Sequence, residues 1–230
     1  MKSPIIGRGI AVALIIGLVA WTAIRALGSR PPETPKTPFP APAVDQPLAG
    51  AAGKQTAVFA GGCFWGIQAV FQHLKGVTSA TSGYSGGYVK SPSYESVSMG
   101  VTGHAETVSI TYDPSQISYG QLLMVFFSVG HDPTEWNRQG PDTGSQYRSV
   151  IFYTNEDQKR VAEAYIAQLD AAKTYSRKIV TKVEPFKAFY PAEDYHQDYL
   201  KNHPDNPYIV YNDLPKLENL KKEFPGLYRP

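Results

Sequence analysis

The only cysteine of the chain lies in Gly61-Gly62-Cys63-Phe64-Trp65-Gly66. Upstream, Thr56-Ala57-Val58-Phe59-Ala60 is a short apolar run that reads as a buried strand. Downstream, Ile67, Val70, Phe71 and Leu74 recur with the period of one helix face. Cys63 is therefore placed where a strand turns into a helix. There, unpaired backbone N–H groups and the positive end of the helix dipole favour thiolate over thiol. Gly61 and Gly62 permit a tight turn and keep the sulfur approachable, and Phe64 and Trp65 supply an apolar wall. A second group suited to chemistry is Glu106, at the head of Glu106-Thr107-Val108-Ser109-Ile110-Thr111-Tyr112. With period two it shares the inward face of a strand with Val108 and Ile110. A carboxyl group at the rim of an apolar face loses hydration, stays protonated near neutrality and suits a general acid. Each group alone also has a plainer reading, a small buried hydrophobe and a strand-end glutamate turned to water.

The elements that would position these two residues can be read along the chain. Gly76 caps the first helix, and a strand over 77–83 leads into the glycine-rich Gly83-Tyr84-Ser85-Gly86-Gly87-Tyr88. That loop lacks the Lys-Ser/Thr ending of a phosphate loop. Ser118-Tyr119-Gly120-Gln121 has capping-box spacing ahead of an apolar helix that Gly130 ends. The polar stretch 131–148 reads as a functional surface loop. Further expectations are a strand over 149–154, a helix capped by Asn155, a strand over 179–183, one short helix over 191–202 and another over 214–224. Strands and helices interleave irregularly, which predicts an α+β fold (an α/β sandwich), a mixed β-sheet flanked by helices in a single catalytic domain over 55–230.

Ahead of it stand two segments of different character. Residues 1–29 carry Lys2 and Arg8, then sixteen uncharged, mostly apolar residues over 9–24, then Arg25. As a helix those sixteen span about 24 Å, and flanking arginines that snorkel extend the reach. A cleaved signal peptide and a signal anchor both fit, and the anchor is favoured because no clean small-x-small cleavage site follows. A membrane-anchored or exported enzyme is expected, its catalytic domain extracytoplasmic (periplasmic if the source is bacterial). Residues 30–54, rich in proline and alanine, read as a semi-rigid spacer. The net charge of +2 gives no argument for a nucleic-acid partner. Five scattered histidines and one cysteine offer no metal-ligand spacing, so no metal is expected.

Gly62-Cys63-Phe64-Trp65-Gly66 resembles the active-site signature of the A-type peptide methionine sulfoxide reductases, and matching segments continue in that family's order from about residue 57 to 202. The resemblance implies Cys63 as the nucleophile on the sulfoxide sulfur and Glu106, in Gly103-His104-Ala105-Glu106, as the acid at the oxygen. It implies Tyr94 and Tyr147 as hydrogen-bond donors to that oxygen. Asp142, five residues before the second tyrosine, would organise the site, and Phe64 and Trp65 would hold the substrate methyl group. The product on the enzyme is a cysteine sulfenic acid, formed from the S epimer of methionine sulfoxide, free or in oxidised proteins and peptides. Many members carry further cysteines near the carboxyl terminus, and this chain carries none. An external thiol reductant such as thioredoxin must then act on Cys63 directly, with no bound cofactor and a monomer expected.

Two other readings compete on the residues alone. One is a cysteine hydrolase or transpeptidase, with Cys63 paired to His104, His131 or His196. The other is a non-catalytic binding module in which Cys63 is inert.

Overall fold

The computed structural model describes Pro35 and residues 38–230. The amino-terminal hydrophobic segment lies outside the described residues. Among those described, six strands form one sheet, in the order β7-β6-β1-β3-β2-β8. These are β1 (Gln55–Ala60), β2 (Val77–Ser85), β3 (Ala105–Tyr112), β6 (Val150–Tyr153), β7 (Lys182–Pro185) and β8 (Phe189–Pro191). Only β6 and β7 run parallel, so the sheet is mixed and the fold is α+β, as the irregular interleaving predicts. The flanking helices are α1 (Phe64–Gln72), α2 (Tyr94–Ser98), α3 (Tyr119–Val125), α4 (Glu156–Ala171), α5 (Tyr199–Asn202) and α6 (Leu214–Glu223). Their apolar stripes close a core in which Phe59 stacks on Phe126 at 4.9 Å.

Register decides what faces the cysteine. Phe59 of β1 pairs with Val108 of β3, antiparallel. The chain leaving β1 therefore passes Glu106, two residues nearer the start of β3. Gly62 makes the turn at φ +96°, and a Cβ there would meet Gln139 Cγ at 2.4 Å. Glycine is required twice over.

Several boundaries differ from those expected. The one short helix expected over 191–202 is two pieces, a 3₁₀ turn at Asp194–His196 and α5. Gln197 interrupts it: its side-chain amide donates to Ser82 O and Ala192 O, and its oxygen accepts from Ser82 N and Gln68 Nε2. That amide serves the buried backbone of Ser82 in β2 as an extra rung, and Asp198 follows at φ +54°. The strand expected over 179–183 begins later, because Ile179 N is held by Asp170 Oδ1 and Val180 N by Pro133 O. The 131–148 stretch is not a plain surface loop, since His131, Asp132, Thr134 and Glu135 are buried. It holds a small hairpin of β4 (Arg138–Gln139) and β5 (Asp142–Thr143). Some of its polar groups satisfy one another, Asp132 Oδ1 accepting from Thr134 and Glu135 Oε2 from Gly140 N, while Asp132 Oδ2 pairs with Arg177 outside the stretch.

The spacer reading also stops short. From Phe39 onward the chain is a strap on the domain. Tyr165 and Gln168 of α4 donate to Pro40 O and Ala41 O, and Asp45 accepts from Ser118 Oγ and Gly120 N at the start of α3. Prolines cannot continue a helix or a central strand, but their free carbonyls still accept hydrogen bonds. A carboxylate at a helix N-terminus is favoured by the dipole as well. Asp45→Ala is expected to lower the unfolding free energy by about 1–2 kcal/mol, read as a shifted urea midpoint with unchanged slope.

Candidate active site

Cys63 is the residue before the first turn of α1, with φ −55° and ψ 126°. Facing it, Glu106 is 2% exposed, and its Oε2 accepts from Phe64 N at 3.1 Å. A carboxyl group so enclosed has lost its hydration, and burial pushes its pKa up to about 8, partly offset by that one N–H. Glu106 is therefore mainly protonated at neutrality, the state expected of it.

The thiol departs from expectation. Burial pushes the Cys63 pKa well above the ordinary thiol value, and Glu106 and Asp213 push the same way. The Trp65 N–H and Lys216 act in the opposite sense and do not prevail. One helix end is worth a few tenths to about 1 kcal/mol, less than the desolvation of a buried anion. At rest the residue is a thiol at 8% exposure, not an uncovered thiolate. It is still not sealed, because it forms part of the wall of two cavities.

The smaller cavity, about 190 Å³, is lined by Cys63, Phe64, Trp65, Tyr94, Glu106, Asp142, Tyr147 and Tyr208. All seven residues singled out in the sequence meet there. Each arrives on its own element. Tyr94 opens α2, its N–H held by Glu193 Oε1, and Ser93 caps that helix with a reciprocal Ser96 box. Tyr147 ends the 3₁₀ turn Ser145–Tyr147. Asp142 comes from the hairpin and accepts from the Tyr208 hydroxyl. Burial raises the pKa values of Tyr94, Tyr147 and Tyr208, so all three keep their protons as donors. Trp65 is fixed on three sides: stacked on Tyr199 at 3.8 Å, edge-on to Tyr208, and donating Nε1–H to His196 Nδ1. Phe64 is more deeply buried than a simple substrate wall, packed on Tyr84 and His196.

Sequence reasoning missed Tyr208. It lies in the mixed tail, in Asn206-Pro207-Tyr208, one tyrosine of fifteen with no distinctive spacing. The histidines proposed as partners of the sulfur are engaged elsewhere. His131 Nδ1 faces Phe126 O, so Nε2 accepts from Ser149 Oγ. His104 bonds Gly87 N and Val89 O, and His196 Nδ1 accepts from Trp65. Among the described residues none of these three histidines hydrogen-bonds Cys63, as a cysteine–histidine pair for acyl transfer would require.

A family model described as peptide methionine sulfoxide reductase matches residues 55–226. The chain belongs to the peptide methionine sulfoxide reductase family. Its activity is therefore the reduction of methionine sulfoxide, an oxidoreductase reaction. Similar proteins include a peptide methionine sulfoxide reductase MsrA 2 of Mesorhizobium japonicum, 62% identical over 77% of this chain and 91% of the relative. The MsrA of Thermus thermophilus is 50% identical over 77% of this chain and 99% of its own length. Among solved structures, reduced Mxr1 of Saccharomyces cerevisiae superposes with a TM-score of 0.60 at 32% identity, covering 71% of this chain and 92% of the other. Methionine sulfoxide reductase A of Corynebacterium diphtheriae gives 0.58 at 32% identity, covering 77% and 91%. The reductase reading prevails over both the hydrolase and the inert binding module.

Proposed function

We propose that this reductase takes the oxygen of methionine-S-sulfoxide onto Cys63, with Glu106 supplying the proton and Tyr94 and Tyr147 donating to the oxygen. The observation that carries this assignment is the pairing of Cys63 and a protonated Glu106 on one cavity wall with neutral phenols. A sulfoxide oxygen is a strong acceptor on a weakly electrophilic sulfur, so hydrogen bonding and proton transfer at oxygen are what open the sulfur to attack. In the balance, oxygen passes from substrate sulfur to Cys63, the thiol proton ends on that oxygen, and the substrate sulfur gains two electrons. Two thiols then return Cys63 to the thiol state, releasing water and a disulfide. Because the reactive cysteine is the only one, the thiols come from outside, and thioredoxin is the reductant proposed. Trp65, locked against Tyr199, offers the methyl group its flat wall, and Asp142 orients Tyr208.

The substrates proposed are oxidised proteins, peptides and free methionine sulfoxide, a repair role at a membrane. The support for the membrane is sequence character alone, the apolar 9–24 segment between basic residues.

The test is direct. The full-length chain is incubated with a methionine-sulfoxide peptide of each epimer and a dithiol, and methionine is measured by mass spectrometry. Turnover of the S epimer is expected; no methionine from either epimer would sink the assignment. Tyr147→Phe is expected to lower kcat about 10- to 100-fold with little change in KM, since its hydroxyl acts most strongly as charge develops on oxygen.

A further inference from the structure

Cys63 also borders a second cavity, of about 280 Å³, between the segments 131–141 and 208–219. Cys63 and Tyr208 are the residues common to both linings. The walls differ in chemistry. The first cavity carries the Glu106 carboxyl group and three phenols, and the second carries the ammonium group of Lys216 with Asp132, His131, Gln139 and Asn219. Lys216 lies 3.0 Å from Asp213 Oδ1. Asp213 is fully buried, and its second oxygen has no hydrogen-bond partner among the described residues. Gly66 in α1 makes room for the pair, since a Cβ there would meet Asp213 Oδ1 at 2.1 Å and Lys216 Nζ at 2.9 Å. An ion pair is thus built in beside the helix that presents the sulfur, and of its two members only Lys216 lines the cavity.

We propose that this second cavity is the path by which a reducing dithiol reaches oxidised Cys63, with the ammonium end of the Lys216–Asp213 pair turned to the incoming thiol. The proposal rests on the reductase reading above. Its logic is the direction of substitution at sulfur. The oxygen arrives from the Glu106 side, so the hydroxyl of the sulfenic acid lies in the first cavity. Displacement at sulfur is in line, and the attacking thiol must then come from another side, which the second cavity provides. The first thiol forms a mixed disulfide with Cys63 and expels the hydroxyl, which leaves as water with the thiol's proton. The second thiol of the same molecule attacks that disulfide, releasing the cyclic or paired disulfide and restoring the Cys63 thiol.

The single cysteine makes the step measurable in the full-length protein. One equivalent of methionine-sulfoxide peptide is added without reductant, and the methionine burst is timed. Dithiothreitol is then added, and the return of the Cys63 thiol is timed by alkylation and whole-protein mass spectrometry. In Lys216→Met and, separately, in Asn219→Trp, which narrows the cavity, thiol return is expected to slow about tenfold relative to the same variant's burst. Lys216→Arg is expected to recover much of the ratio. A ratio equal to that of the unmodified protein in both Lys216→Met and Asn219→Trp would overturn the path. No burst in the unmodified protein would overturn the reductase reading itself, and the path with it.

Discussion

Cys63→Ser is expected to produce no methionine above background, a loss on the order of 10⁴-fold or more. The hydroxyl of serine keeps the shape of the site, yet it is far less polarizable and holds its proton more tightly than a thiol. No second cysteine exists in the chain to take over. The variant should fold normally, because the side chain at 63 fills little volume at the head of α1 and caps nothing with its own atoms. Circular dichroism and a thermal midpoint within a degree or two of the parent would show that the loss is chemical. Substantial turnover in a folded Cys63→Ser protein would remove the nucleophile from the mechanism.

Glu106→Gln carries the second large effect, a fall of about 10²- to 10⁴-fold in kcat/KM. The amide can still accept from Phe64 N but cannot give up a proton. With the carboxyl pKa raised to about 8, the parent enzyme should lose activity as pH rises through that value, and the slow variant should lack this limb. Stability must follow the same group with a definite sign. The folded protein holds the Glu106 proton more tightly than the unfolded chain, whose glutamates titrate near 4.3. The favourable contribution is complete below that pH and is lost as pH rises through about 8. Glu106→Gln should therefore match the parent in urea unfolding at pH 4 and exceed it at pH 8.5. The gap grows by at most about 1.4 kcal/mol per pH unit. Equal stability at both pH values would show that the carboxyl is not held protonated.

What could be read in advance follows from how local each signal is. The strand before Cys63, the helix after it and the inward Glu106 rest on periodicities over a few residues, and they hold. The capping boxes at Ser93 and Ser118 are equally local, although only the second has its glutamine partner visible in sequence. Failures came where distant groups intervene. The thiol state of Cys63 depends first on burial by the surrounding fold and then on Glu106 and Asp213, which are far away along the chain and cannot be weighed from a helix start. The break at Asp198 depends on Gln197 reaching the edge of β2. Tyr208 enters the site only because the tail folds back across α1 to meet Asp142. The burial of residues 131, 132, 134 and 135 was hidden by their polarity, which is met partly within the stretch and partly by Phe126, Ser149 and Arg177 from outside it.

The strap of residues 39–49 has a mechanical consequence. A pull on the chain from its amino-terminal side meets the hydrogen bonds of Pro40, Ala41 and Asp45 before any load reaches β1 and the turn that holds the sulfur. The strap thus works as a strain relief, as a clamp does on a cable. A fragment trimmed at Lys54 loses that clamp and leaves the start of β1 as a loose end.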